Sequence, residues 1–362
     1  MKKYYFIGVA LLAAAVSCSK TESNDKGIEL DPNAPVEVRF SAPTISVVSK
    51  AVNPETNLVE GTSAAGLEIG VYGLATEDGN LVWDDADETT YITDLVNRNV
   101  TINDDGTVTF QDPVCYYPVS NEKTFSFYGY YPYAADAQSS TDACTATYDL
   151  TQGNVDILWA ASHATALDGS ANPVGATGFN AAYIRRLLAV DASHPYLPSF
   201  DFQHKLTALK FIASTYPGEG TAGAEMQVVG FELQEVATQV KLTVASATTD
   251  DCGKVEAAGM GTLTATGADG APLAVTPTDE GADIRTFTLL PNTTYKAVIT
   301  ISRDGIPQEP VTVEVATTQT QGTFVAGTIY TMNVRIKSPL QVEIFTTSVE
   351  DWTEVDGGNI DL

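Results

Sequence analysis

The chain has 362 residues and a formal net charge of −27, with 46 acidic residues against 19 basic ones. Such a surface repels nucleic acids and anionic lipid head groups, so we exclude nucleic-acid binding as its function. The length allows two domains of ordinary size. Abundant glycine and proline, together with short β-branched and aromatic runs, predict an all-β fold.

The first eighteen residues predict an export signal. Lys2 and Lys3 give a basic start, and residues 4–16 form an apolar core too short to span a bilayer. The small residues before Cys18 resemble a bacterial lipoprotein signal, in which cleavage leaves an N-terminal cysteine that carries diacylglycerol. A plain secretory peptide is the alternative. Residues 19–35 are polar and predict a flexible tether.

The first predicted domain covers residues 36–215. Alternating or aromatic runs predict strands there, and one stretch, residues 181–190, predicts a short helix. Asp104 and Asp105 precede Gly106 and predict a hairpin turn. The predicted strands cover residues 36–42, 44–50, 67–72, 99–103, 106–110, 124–131, 155–160 and 202–213.

The second predicted domain covers residues 216–362. We place the boundary in the glycine-rich run 216–223, which formally contains a dinucleotide-binding motif. No helix is predicted after it, so we interpret the run as a linker and expect no cofactor. Seven closely spaced strands without helical periodicity predict a β-sandwich. They cover residues 226–233, 240–244, 261–266, 286–290, 295–302, 311–315 and 329–336.

Beyond the sandwich the chain continues as one more extended segment, residues 340–352. Alternate positions form one face of this segment. They are Leu340, Val342, Ile344 and Thr346, and the segment ends at Trp352.

Three cysteines remain besides Cys18, an odd number that allows at most one disulfide. Cys115 and Cys144 are the preferred pair because both lie in the first half, whereas Cys252 lies in the second. Buried, unpaired thiols are an equal alternative.

Residues suited to catalysis or metal binding are scarce. The histidines, His163, His194 and His204, lack a metal-ligand neighbour at the usual spacing, and the acidic clusters match no calcium loop. We expect no metal site and no enzymatic activity. Two alternatives stay open: a surface lipoprotein that binds glycans on exposed aromatic side chains without polymerising, and a secreted glycan-active enzyme.

Five stretches together resemble the fimbrillin family of Bacteroidales, lipoprotein subunits of type V pili. The resemblance extends over nearly all of the mature chain. The stretches are residues 42–54, 67–72, 202–211, 326–334 and 348–352, in that order behind the lipoprotein signal.

This resemblance implies two transthyretin-like β-sandwich domains in tandem and a lipidated precursor carried to the outer membrane. It also implies that a protease removes the first strand and that a neighbouring subunit's C-terminal segment fills the vacated groove. Carried over, the removable strand covers residues 36–50 and the donor segment residues 340–362. The central removable residues are Thr44, Ile45, Ser46, Val47 and Val48.

The implied partners are other copies or related fimbrial subunits and a processing protease, in fimbriae that support adhesion at the cell surface. The best-known members of the family have an arginine in the loop after the first strand, whereas residues 51–65 contain neither arginine nor lysine. We therefore take Lys50 as the candidate cleavage site. The long C-terminal segment favours a donor and hence a stalk subunit over a tip subunit.

Overall fold

The structure is a computed structural model. It describes residues 31, 33–41, 44–45, 64–77, 80–110, 112–119, 122–163, 165–167, 173–176, 178–190, 197–216, 226–317, 322–338 and 340–351. In this part of the chain no helix is long and apolar enough to cross a membrane.

Strands dominate the described residues, as the composition predicted, and the all-β fold class is confirmed. The first strands are β1 (Thr44–Ile45), β2 (Glu68–Glu77), β3 (Asn80–Leu81), β4 (Arg98–Thr101), β5 (Thr124–Tyr131), β6 (Gln138–Ser139), β7 (Ala143–Asp149), β8 (Leu158–Ser162), β9 (Thr165–Leu167) and β10 (Pro173–Ala176). After the helix α1 (Ala181–Val190) come β11 (Asp201–His204), β12 (Thr207–Thr215), β13 (Met226–Ser246), β14 (Val255–Thr264), β15 (Ala282–Leu289), β16 (Thr294–Arg303), β17 (Ile306–Pro307), β18 (Val311–Ala316), β19 (Thr328–Ser338) and β20 (Gln341–Asp351).

The strands form three larger sheets and the small pair β9–β10. The first sheet has the order β1-β11-β8-β5-β2-β3, with β4 also paired to β2. The second has the order β15-β12-β19-β20. The third has the order β17-β16-β13-β7-β6, with β14 paired to β13 and β18 to β16.

Three hydrophobic clusters fill the space around these sheets. The N-terminal core lies on one face of the first sheet and includes Phe127 and Phe202. The middle core lies on its other face, where Tyr128 and Tyr130 pack with side chains of β13. β2 and β5 are therefore buried on both faces, which explains their nearly continuous apolar and aromatic sequences. The C-terminal core lies between the second and third sheets.

Close packing in the middle core requires glycine at one position of β2. A Cβ atom on Gly70 would lie 2.1 Å from Cε1 of Tyr130, the residue opposite it in the ladder. Glycine lets the tyrosine ring lie across the strand, where its hydroxyl donates a hydrogen bond to Asn97 at 2.5 Å.

One strand, β13, joins the two halves of the molecule. Its first part pairs with β16 and its last part with β7, while β14 runs along its opposite edge. The sequence predicted two separate strands here, because polar residues lie between the two apolar runs. In the structure these residues form bulges, at Glu235 among others, and the strand continues through them.

Two further predictions differ from the structure in detail. The predicted strand 202–213 is divided into β11 and β12, because the two parts pair in different sheets. The predicted acidic turn is present, closed by a backbone hydrogen bond from the Asn103 N–H to the Thr107 carbonyl. The predicted hairpin is not, because β4 pairs with β2 rather than with residues 106–110. The predicted helix 181–190 is confirmed, and it begins where the Asn180 side chain accepts a hydrogen bond from the Tyr183 N–H.

The division into two domains at residue 215/216 stays a prediction. β12, which precedes that point, lies in the second sheet beside β15 and β19. The last part of β13, which follows it, contributes to the middle core.

Candidate assembly interface

We define the N-terminal segment as residues 33–45, of which the structure describes 33–41 and 44–45. Its apolar side chains alternate with polar ones, as in a half-buried strand. Val36, Val38 and Phe40 are 7 %, 2 % and 5 % exposed, and all three belong to the N-terminal core. Glu37 and Arg39 point outward and form an exposed ion pair of 2.6 Å.

Few backbone hydrogen bonds hold this segment. The Val38 N–H donates to the Cys115 carbonyl, and the Tyr117 N–H donates to the Val36 carbonyl, both at 2.9 Å. β1 then lies parallel to β11 at the end of the first sheet, with Thr44 opposite Asp201 and Ile45 opposite Phe202. The segment therefore lies at the edge of the fold, and buried side chains provide much of its attachment.

Phe40 is the largest of these anchors. Its ring centroid lies 4.8 Å from that of Phe200, 5.0 Å from that of Phe127 and 5.7 Å from that of Phe110. Contacts of this kind contribute beyond the area that they bury. Without the segment, these rings would line an open hydrophobic groove.

The helix holds the start of the segment. Nε and Nη2 of Arg185 both donate to the Ala34 carbonyl oxygen, at 3.0 and 2.8 Å. The sequence gives no sign of this contact, because nothing in the helix pattern marks which arginine turns toward a segment about 150 residues away. The central removable residues predicted from the sequence are 44–48, although the alternation in residues 36–40 is the stronger signal for the anchors.

Replacing Arg185 by alanine is expected to loosen the N-terminal segment. A hydrogen bond to a charged donor contributes about 1.5–3 kcal/mol, so local opening should become roughly 10- to 150-fold more frequent. The measurement is the rate at which a lysine-specific endoprotease releases the N-terminal fragment, followed by mass spectrometry. Arg39→Ala is the matched control, because it removes the same charge from an exposed ion pair. Equal release rates for the two variants would contradict the prediction.

The C-terminal segment forms β20, the last strand of the second sheet. Within the described part of the chain it pairs with β19 alone, antiparallel and through a register shift between Thr331 and Met332. Val342 and Ile344 are half-buried and pack against the C-terminal core. The Thr346 hydroxyl donates to the Met332 sulfur on the neighbouring strand at 3.6 Å. Leu340, at the start of the segment, is 66 % exposed.

The alternation predicted for this segment continues only as far as Thr346. After the register shift it is Val349 that packs against the core. On the outer side, the Phe345 ring lies 4.3 Å from the Arg335 guanidinium carbon. An edge position and half-buried side chains make β20 a less firmly held strand than β12 or β19.

Several predicted site residues lie outside the described residues. They are the lipidation site Cys18, the cleavage site Lys50, Trp352, and Ser46, Val47 and Val48 of the removable strand.

The structure does not contain the disulfide considered for Cys115 and Cys144. Both are buried free thiols, Cys115 in the N-terminal core and Cys144 in the middle core. Because the first sheet separates the two cores, the thiols do not meet. Burial raises the pKa of Cys115 to about 11 and that of Cys144 to about 12, so both stay protonated at neutral pH.

Two of the polar residues considered for catalysis or metal binding, His204 and Asp87, have structural roles, whereas His194 lies outside the described residues. The His204 ring lies against Asp156, with Nδ1 3.0 Å from Oδ2, and both side chains are almost fully buried. Asp87 accepts from the hydroxyl and the N–H of Thr89, and these hydrogen bonds lower the pKa of its carboxyl group. Among the described residues no group of histidine, cysteine and acidic side chains could hold a metal ion.

Two of the tryptophans considered for sugar binding are used in packing. Trp83 is buried in the middle core. Trp159 packs against the same core, and its ring N–H donates to the Val244 carbonyl at 2.8 Å. In the described part of the chain, neither tryptophan contributes to an exposed aromatic row.

A profile of fimbrillin-like proteins matches residues 56–352 of this chain. The chain belongs to the fimbrillin-like family. The resemblance found in the sequence is thereby confirmed, and membership in this family of fimbrial and adhesion proteins implies a location at the cell surface. A search of curated proteins finds no match.

Solved structures of other bacterial proteins are similar to this chain over most of its length. A proposed cell adhesion protein from Bacteroides uniformis is 19 % identical, with a TM-score of 0.50, and the match covers 90 % of this chain and 100 % of that one. Another from Bacteroides ovatus is 15 % identical, with a TM-score of 0.47 and coverages of 89 % and 100 %. A fimbrial protein from Bacteroides vulgatus is 13 % identical, with a TM-score of 0.48 and coverages of 88 % and 99 %.

Proposed function

We propose that this fimbrillin-like protein is a stalk subunit of a type V fimbria that assembles by strand exchange and supports adhesion. In this proposal the precursor is acylated on Cys18 and carried to the outer membrane, where a protease cuts after Lys50 and removes residues 36–50. The segment 340–362 of a neighbouring subunit then fills the groove. This requires no catalytic residue in the subunit itself.

The observation that carries the proposal is the attachment of the N-terminal segment. Its anchors, Val36, Val38 and Phe40, occupy the N-terminal core from the edge of the fold. Full burial of such a side chain is worth about 1.5–3 kcal/mol, so an emptied groove would strongly favour a replacement strand. A strand from another subunit restores both the main-chain hydrogen bonds and the pocket contacts.

The C-terminal segment has the properties of a donor. Among the described residues its strand partner lies on one side only, and Val342 and Ile344 present an alternating apolar face similar to that of the anchors. The described side chains of β20 are themselves half-buried or exposed, so its release costs less than the loss of a central strand. This favours a subunit that both gives and receives a strand, and hence a stalk position.

N-terminal sequencing of subunits from purified fibres tests the processing step. We expect the first residue to be Ala51, which follows the candidate site Lys50. A start elsewhere in residues 51–65 would keep the mechanism and change the protease. Fibres whose subunits begin at an intact lipidated Cys18 would contradict removal of the strand.

A further inference from the structure

A second edge of the molecule is open, and the proposed strand exchange does not use it. β14 pairs with β13 from Glu232 opposite Thr264 to Leu242 opposite Val255. Its other edge makes no backbone hydrogen bond to any residue that the structure describes. Unpaired N–H and C=O groups along a strand are a template for another strand.

Apart from one bulge, the end of this edge lacks the charge and the proline that usually protect a strand against pairing. A bulge at Ala258 interrupts the ladder, since Gly259 lies opposite Gln239 and Ala257 opposite Val240. Beyond the bulge, residues 259–264 read Gly-Met-Gly-Thr-Leu-Thr, without charge or proline. Natural edge strands are commonly blunted by lysine, proline or very short length. This six-residue run has none of these features.

The side chains of the run permit close approach of a second backbone. Gly259 and Gly261 have no side chain, and the Met260 side chain between them is 64 % exposed. Leu263 points into the C-terminal core and fixes the orientation of the strand. A partner strand on this edge would cover Met260 and satisfy the open backbone groups.

We infer that two copies of this protein associate side by side through antiparallel pairing of their β14 edges. When two copies pair about a two-fold axis, each β14 edge supplies the backbone donors and acceptors that the other β14 edge needs. No second binding surface is therefore required. The net charge of −27 makes copies repel one another over most of their surface. An uncharged run is where this repulsion is weakest.

A contact of six residues is small, so isolated copies should associate weakly. This step rests on the function proposed above: in a fimbria, the same contact would repeat along two neighbouring fibres. Repetition of weak contacts raises the overall strength of association without any new contact. The expected consequence is lateral bundling of fibres.

The test compares Met260→Glu with Ile306→Glu in the uncut protein. Ile306 is the matched control because it is 65 % exposed and lies in another edge strand, β17, followed by Pro307. Both variants add one negative charge, but only Met260→Glu places two carboxylates close to the two-fold axis. Sedimentation equilibrium gives the dissociation constant of the dimer.

We expect reversible dimers of the unaltered protein, a dissociation constant raised at least about tenfold by Met260→Glu, and a change within about twofold for Ile306→Glu. A strictly monomeric unaltered protein, or equal weakening by the two variants, would overturn the inference. Because the uncut protein keeps its N-terminal segment, the result does not depend on strand exchange. Failure here would leave the proposed polymerisation standing.

Discussion

A chain that lacks residues 339–362 is expected to stay a folded monomer and to form no fimbriae. Truncation after Ser338 keeps β19 complete, whereas a cut a few residues earlier would remove part of that strand. β19 keeps its parallel partner β12, so the second sheet loses only its edge. The donated strand, by contrast, is lost entirely, and polymerisation should fall below detection.

The measurement combines electron microscopy of fibres with circular dichroism of the purified monomer. The control is the full-length chain, which keeps the whole donor segment 340–362 and is expected to polymerise. Polymers formed by the chain that lacks residues 339–362 would show that the C-terminal segment is not the donor. A shorter chain that does not fold would mean that β20 belongs to its own sandwich.

Replacing Asp156 by alanine is expected to destabilise the whole fold. Its carboxylate lies 3.0–3.1 Å from the His204 ring nitrogen, at the point where the chain passes from β11 toward β12. Removing one partner of a buried hydrogen bond costs about 1–3 kcal/mol, and more when a charged group is involved, because the remaining polar group keeps its desolvation penalty. We expect a drop of several degrees or more in the unfolding temperature.

The matched control for this variant is Asp283→Ala. Asp283 pairs with Lys210 at 3.2 Å, but both side chains are largely exposed, and such pairs contribute little. Thermal unfolding of the two variants beside the unaltered protein gives the comparison. Similar unfolding temperatures for the two variants would contradict the structural role of the Asp156–His204 pair.

The sequence predicted the fold class because period-two alternation records which strand positions are buried. It predicted β5, β16 and β19 within one or two residues, and the short helix at its full length. It could not predict that residues 226–246 form one strand, because a bulge accepts the polar residues that resemble a break. Nor could it divide residues 202–213 between β11 and β12, since sheet membership depends on distant partners.

For the candidate site the limits were similar. The sequence by itself determined that an alternating strand lies near the N-terminus and another near the C-terminus, and the order of these elements. Only the tertiary structure decided that Val36, Val38 and Phe40 fill a core from the edge of a sheet, that Arg185 holds Ala34, and that Cys115 and Cys144 lie in different cores. The physical reason is that alternation specifies which face of a strand is buried, whereas contacts between residues far apart in the chain specify what that face is buried against.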